Sequence, residues 1–378
     1  MKTNYKIQGT PNSPVLMFSN SLGADFKMWD ELIPYLLPYF RVLQYDTRGH
    51  GKSEQTEGPY TIEMLGKDVV DLLDDLSIEK VFFCGLSMGG LIGQWLGINH
   101  PERLHKLIIS NTDAKIGTVD RWNDRINLIK EQGMQAIANA TMEKWFTEDY
   151  HKTNPLRVAE MAEIFLANNI EGYASCCAAI GAADFSASIK TISVETLIIT
   201  GDEDAVTNVS QAEKMQQEIP NAKLKVFHAR HLPSTELPEE YAQTLINFIV
   251  GKNTFERGMH VRRTVLGDKH VYKANDNKNK FNNDFQEFIS HYAWGEIWTR
   301  PGLSKHHRSL ITLAMLIPLN RTVEFKMHLK AAFNNGVTVN EIKEVILQSG
   351  IYCGLPAAND AMHSAEEVFE NLGINFKE

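Results

Sequence analysis

Three groups of residues in this 378-residue chain have the types and spacing to do chemistry. The first is Gly85-Leu86-Ser87-Met88-Gly89, which follows the apolar, partly β-branched run Val81-Phe82-Phe83-Cys84 and leads into a helical pattern. A strand that ends in such a turn presents its serine hydroxyl at the turn, and the glycines are needed because no neighbouring Cβ fits there. A hydroxyl is a weak nucleophile until a base takes its proton. The second group can supply that base and an acid to orient it: Gly201-Asp202-Glu203-Asp204 follows one apolar run, and His228-Ala229-Arg230-His231 follows another. The third group is Glu324 and His328. Four residues apart, they share one face of a helix, where a carboxylate can orient and charge an imidazole.

Short apolar runs that alternate with helical spacing must position the first two groups. Residues 14–18, 41–45, 81–84, 106–110, 195–200 and 224–227 read as strands, and Thr61 to Leu76 carries apolar residues at helical intervals. That alternation predicts a mostly parallel sheet covered on both faces, with chemistry at the carboxyl ends of the strands. Ser87, the acidic cluster and the two histidines all fall at such ends. The stretch of about 85 residues between the 106–110 and 195–200 runs is too long for a bare loop and reads as a helical cap over residues 112–190. Arg125 lies one helical turn from Trp122, so both can face one pocket; Trp145 is a further cap aromatic.

A Gly-containing link follows residue 250, and the strand–helix alternation does not return. Residues 281–295, 305–317, 321–335, 338–350 and 358–372 read as helices, and 274–280 as a polar surface loop. Two domains follow, at 1–250 and 255–378. A net charge of −9 argues against a general nucleic-acid binder. No apolar run reaches the ~20 residues of a membrane span. The four cysteines, Cys84, Cys176, Cys177 and Cys353, form no CxxC pair or metal-ligand spacing and read as buried thiols in a reducing cytoplasm.

The order serine, acid, histidine is that of an α/β-hydrolase. More specifically, Phe18-Ser19-Asn20-Ser21-Leu22-Gly23-Ala24-Asp25, Trp29-Asp30, Tyr45-Asp46-Thr47-Arg48-Gly49-His50-Gly51 and Cys84 to Gly90 resemble the 3-oxoadipate enol-lactonases over residues 1–250. The resemblance implies a serine hydrolase acting on a five-membered enol-lactone that carries a free carboxylate. It selects Asp204 as the acid, with Asp202 and Glu203 as fallbacks, and His231 as the base rather than His228. The backbone N–H of Met88 and that of Leu22 would form the oxyanion hole. Arg125 and Trp145 would line the substrate site. A general esterase or perhydrolase shares this serine, acid and base.

Glu256-Arg257-Gly258-Met259, Trp294 to Leu303, Arg308-Ser309-Leu310-Ile311-Thr312, Glu324 with His328, and Gln348 to Asn359 closely resemble 4-carboxymuconolactone decarboxylases. This implies a small all-helical domain that releases carbon dioxide without a metal or organic cofactor, because the unsaturated lactone is its own electron sink. His328 would handle the proton, with Glu324 beside it. Arg300 and Arg308 would hold carboxylates, and Glu296 would be a further acid or base. Cys353 lacks a second cysteine three residues away, which excludes a dithiol peroxidase. The two halves together imply consecutive steps, decarboxylation and then lactone hydrolysis, in a homo-oligomer assembled through the second domain and binding small lactone carboxylates. The competing reading is a single-activity esterase whose helical domain only oligomerises.

Overall fold

The computed structural model describes residues 2–376. Two compact units emerge. One gathers the chain up to Ile7, Val15–Ile33 and Val42–Leu245; the other gathers Gln8–Pro14, Pro34–Arg41 and the chain from Ile246 onward.

In the first unit a seven-stranded sheet runs in the order β1-β3-β2-β4-β5-β6-β7. Its strands are β1 (Tyr5–Gln8), β2 (Val15–Ser19), β3 (Arg41–Tyr45), β4 (Val81–Leu86), β5 (Leu104–Ser110), β6 (Thr196–Gly201) and β7 (Lys223–Phe227). From β2 onward through β4, β5, β6 and β7 each neighbouring pair is parallel. β2 and β6 are buried along their whole length, which is why they read as unbroken apolar runs rather than as alternation. Placing β4 beside β2 brings the loops that leave both strands to one place above the sheet.

Five helices, Val119–Gln132, Gln135–Trp145, Glu148–Thr153, Pro155–Leu166 and Ile170–Ala182, make up the cap between β5 and β6. The first and last carry complementary faces. Helix Val119–Gln132 is largely polar, whereas Ile170–Ala182 is buried over most of its length, with Tyr173, Cys176 and Cys177 inside.

Within the second unit, Leu313, Phe325, Leu329, Ile342, Ile346, Ala361, Ala365 and Phe369 form the core. They come from helices Lys305–Leu316, Thr322–Asn334, Val339–Cys353 and Leu355–Leu372. Three expectations are corrected here. Residues 254–276 form two helices, Thr254–Leu266 and Asp268–Asp276, so the loop at 274–280 begins only after Asp276. The helix expected over 281–295 splits into Asn283–Ile289 and a π-helix, Ser290–Ile297. The wider π-turn accommodates a very close approach, since a Cβ on Gly258 would stand 2.0 Å from the Ser290 carbonyl oxygen. Finally, Cys84, Cys176 and Cys177 are buried free thiols, whereas Cys353 is exposed at the end of its helix.

Among the described residues no helix is long and apolar enough to cross a membrane.

Candidate functional site

Ser87 sits where β4 ends and helix Met88–Asn99 begins, with φ 58 and ψ −110. A non-glycine residue there is strained by about 1–3 kcal/mol, and the neighbouring packing must hold it. That packing is visible. A Cβ on Gly85 would stand 2.0 Å from the Gly89 carbonyl oxygen, and one on Gly89 would stand 2.2 Å from the Ser19 carbonyl oxygen. The Ser87 N–H donates to the Ser110 carbonyl at 2.8 Å, and Thr112 Oγ1 donates to the Ser87 carbonyl at 2.9 Å. Ser87 is therefore fixed from both neighbouring strands.

The loops after β6 and β7 bring Asp204 and His231 together, at 2.8 Å between Oδ2 and Nδ1, both essentially buried. Because a carboxylate only accepts, His231 carries its Nδ1 proton towards Asp204 and leaves Nε2 free to take another. Asp204 also accepts from Asn111 Nδ2 at 2.9 Å, from Thr207 Oγ1 at 2.9 Å and from the Val206 N–H at 2.7 Å. Burial alone would push this carboxyl up. His231, Asn111 and the Val206 N–H outweigh burial and hold it at about 2. Asn111 itself stands at the carboxyl end of β5 with a φ of 44, which an asparagine tolerates better than most residues.

Asp202 and Glu203 lie elsewhere. Both are partly exposed and face His228, whose Nδ1 is 3.0 Å from Asp202 Oδ2 and whose ring is 80% exposed. The exposed pair and the buried pair come from the same two loops, so burial distinguishes Asp204 and His231 from their neighbours.

Ser87 and His231 line one cavity of about 200 Å³, together with Leu22, Trp122, Arg125 and Trp145. Met88 is the first residue of its helix, where a backbone N–H has no intrahelical partner and remains available. Leu22 belongs to the loop after β2, which is tied to the serine turn by the Gly89 N–H donating to the Asn20 carbonyl at 3.1 Å. Asn20 is in turn held by its side-chain bonds to Trp29 Nε1 and the Tyr45 carbonyl.

Arg125 is clamped by neutral groups. Its Nε and Nη2 both donate to the Tyr173 hydroxyl, at 2.9 and 2.6 Å, and Nη2 also donates to Thr141 Oγ1 at 3.1 Å. Two further cations line the cavity, Arg121 and Lys144, and among the described residues no carboxylate does. The sequence reading missed both. Arg121 was within reach, because it precedes Arg125 by one turn; Lys144 owes its place to the path of the cap.

In the second unit, Glu324 is exposed and His328 half-buried on helix Thr322–Asn334. No hydrogen bond joins them. Burial, with His270 nearby, holds the His328 imidazole below its ordinary range, and Glu324 only partly opposes this. Burial and His270 thus favour the neutral ring more than Glu324 favours the charged one. His270, on helix Asp268–Asp276, escaped notice because that stretch was not read as helix. Glu296 is exposed on the π-helix. Arg308 Nη2 donates to the Arg300 carbonyl at 3.0 Å, and burial depresses the Arg308 guanidinium.

A mostly parallel sheet under a helical cap, with a serine at a strained turn after its strand and a buried acid–imidazole pair on the neighbouring loops, is the architecture of an α/β hydrolase. The comparisons agree, for residues 14–236 match the model of the alpha/beta hydrolase fold and residues 283–367 that of the carboxymuconolactone decarboxylase family. The chain belongs to the alpha/beta hydrolase family and carries, after it, a domain of the carboxymuconolactone decarboxylase family: a hydrolase followed by a lyase.

Its first part is 42% identical over 238 residues to 3-oxoadipate enol-lactonase 2 of Acinetobacter baylyi, covering 63% of this chain and 89% of that protein. The second is 58% identical over 120 residues to 4-carboxymuconolactone decarboxylase of the same organism, covering 32% of this chain and 90% of that protein. The enol-lactonase from Burkholderia xenovorans superposes with a TM-score of 0.64 at 40% identity, over 65% of this chain and 96% of its own.

Proposed function

We propose that the chain is a bifunctional enzyme that decarboxylates 4-carboxymuconolactone to 3-oxoadipate enol-lactone and hydrolyses that lactone to 3-oxoadipate. The observation that carries the hydrolytic half is the cavity. Among the described residues it is lined by Ser87 and His231, by three cations and by no carboxylate, as suits a lactone with a free carboxylate.

In this reading His231 Nε2 takes the Ser87 proton as Oγ attacks the lactone carbonyl. Asp204 holds the imidazole in the required tautomer and stabilises its charged form. The N–H groups of Met88 and Leu22 receive the oxyanion, and collapse of the intermediate expels the enolate of the ring. Water then releases the acid by the same route in reverse. Arg125 grips the free carboxylate, with its charge left unspent by neutral partners. Trp145 walls the cavity.

For the lyase half, the carbon–carboxylate bond breaks and its electron pair enters the conjugated lactone. A proton is then delivered to the carbon next to the lactone carbonyl. His328, half-buried on its helix, is the group suited to move that proton. Glu324, Glu296, Arg300 and Arg308 remain the acid and the carboxylate-holding candidates of the same unit.

A homo-oligomer through the second unit fits an exposed apolar face. Phe281, Phe285, Phe288 and Tyr292 recur at helical spacing and are 58% exposed or more. Unpaired thiols throughout fit a reducing cytoplasm.

The test follows 4-carboxymuconolactone by ultraviolet absorbance and carbon dioxide release. Ser87→Ala should release carbon dioxide and accumulate enol-lactone. Hydrolysis of supplied enol-lactone with no carbon dioxide release by the intact protein would instead leave the helical unit an oligomerisation module.

A further inference from the structure

The loop carrying Leu22 is held at a single residue, Gly23, through the peptide groups on either side of it, by residues outside the cavity. The Gly23 N–H donates to His50 Nε2 at 2.9 Å, and the Gly23 carbonyl accepts from Asn168 Nδ2 at 2.8 Å. His50 is fully buried on the loop after β3, and Asn168 follows the cap helix Pro155–Leu166. A Cβ on Gly23, whose φ is +85, would stand 2.6 Å from the Phe165 ring, so the loop cannot relax towards the cap.

An accepting Nε2 places the His50 proton on Nδ1, which faces the Arg48 carbonyl at 3.5 Å. Burial holds this imidazole down at about 4, so the neutral, accepting form persists near neutral pH. The supporting loop is itself immobilised. The Arg48 guanidinium grips both carboxylate oxygens of Asp68, and a Cβ on Gly49 would stand 2.8 Å from the Cα of Gly172 in the cap.

We propose that His50 and Asn168 are positioning residues for lactone hydrolysis: His50 holds the Leu22–Gly23 peptide and Asn168 the Gly23–Ala24 peptide that follows, so that the N–H of Leu22, one peptide back, is aimed at the oxyanion. His50 does not line the cavity that holds Ser87 and His231, so it acts through the loop rather than on substrate. The inference rests on the reading of Ser87 and Leu22 given above.

The test compares His50→Asn with His50→Gln. A glutamine amide oxygen reaches the place of Nε2 and can still accept the Gly23 N–H, whereas an asparagine amide reaches only the place of Nδ1. With enol-lactone as substrate, His50→Asn should lower kcat about 100-fold with KM changed less than threefold, as expected when one oxyanion donor is misdirected. His50→Gln should recover at least tenfold of that loss. Asn168→Ser, which frees the peptide on the other side of Gly23, should lower kcat with the same KM signature, and it serves if His50→Asn does not fold. Ser87→Ala is run alongside. If Ser87→Ala is inactive while folded His50→Asn or Asn168→Ser keeps kcat within twofold, the clamp is refuted and the hydrolytic reading stands. Equal kcat losses in His50→Gln and His50→Asn also refute it. Activity in Ser87→Ala refutes the underlying reading itself.

Discussion

Asp204→Asn is the substitution that bears most heavily on the hydrolytic site, because the structure leaves the new amide no good orientation. On one side, Asp204 Oδ1 accepts the Val206 and Thr207 N–H groups; on the other, Oδ2 accepts from His231, Asn111 and Thr207 Oγ1. An amide NH₂ placed at the first position meets two backbone donors, leaving three buried donors without an acceptor. Placed at the second, it forces His231 to accept at Nδ1, which puts the ring proton on Nε2 and removes the base that Ser87 needs. The second arrangement strands fewer groups and should prevail.

The charge adds to this. A carboxyl held at about 2 against an ordinary 3.8 reflects a net preference of about 2–3 kcal/mol for the anion, even after burial is overcome. Losing that support for the imidazolium costs about two orders of magnitude in rate, and the wrong tautomer raises the total to about 10³–10⁴ in kcat. The assay is enol-lactone hydrolysis followed by ultraviolet absorbance, with Asp202→Asn as the control. Asp202 faces the exposed His228, so its variant should stay within twofold of the parent. An Asp204→Asn enzyme within tenfold of the parent, or an Asp202→Asn enzyme that falls as far, would refute the assignment of the acid.

Further consequences follow from packing and titration. Gly89→Ala drives a Cβ to 2.2 Å from the Ser19 backbone, so the protein should melt lower and lose hydrolysis; a stable, active variant would show that the turn can relax. Acid should destabilise the first unit in two stages. The His50 ring titrates at about 4 when folded and at 6.5 when not, so the unfolded chain binds the proton first and about 3 kcal/mol of stability is lost as pH falls from 6.5 to 4. Asp204 contributes stability above pH 3.8 that is lost as pH falls towards 2. Urea unfolding at pH 7, 5 and 4 checks the first stage, and His50→Gln should flatten it. Arg125→Leu should raise KM for the carboxylate-bearing lactone by about 10- to 100-fold, the value of one charge-assisted contact, while leaving turnover of an uncharged ester unchanged.

What could be read from the chain alone was local. Gly85-Leu86-Ser87-Met88-Gly89 announces its turn because each glycine answers a backbone contact only a few residues away or on the adjacent strand. The carboxyl-end rule then placed the acidic and histidine clusters without any knowledge of their side-chain directions. Choosing Asp204 over Asp202 needed the family pattern, since all three acids are chemically equivalent in sequence and differ only in burial. Asn111, Asn168 and Lys144 carried no local signal, and His50 stood in a motif that assigned it no role. Each matters through a contact with a residue remote in the chain, such as the 145 positions between Asn168 and Gly23. Helix Thr254–Leu266 was passed over because a Gly-containing link before it masked its start, although Asn253 and Glu256 form a capping box. The π-helix depends on Gly258 meeting Ser290, a packing event that periodicity does not encode.

The measurement that tests the central claim most directly is simultaneous carbon dioxide release and enol-lactone accumulation from 4-carboxymuconolactone, by the parent, Ser87→Ala and His328→Ala. Two sites predict that the parent releases carbon dioxide and accumulates no lactone. Ser87→Ala should release carbon dioxide at the parental rate and accumulate lactone, and His328→Ala should release little carbon dioxide yet hydrolyse supplied enol-lactone normally. Carbon dioxide release that is absent in the parent, or that persists undiminished in His328→Ala, would contradict the account of the second unit.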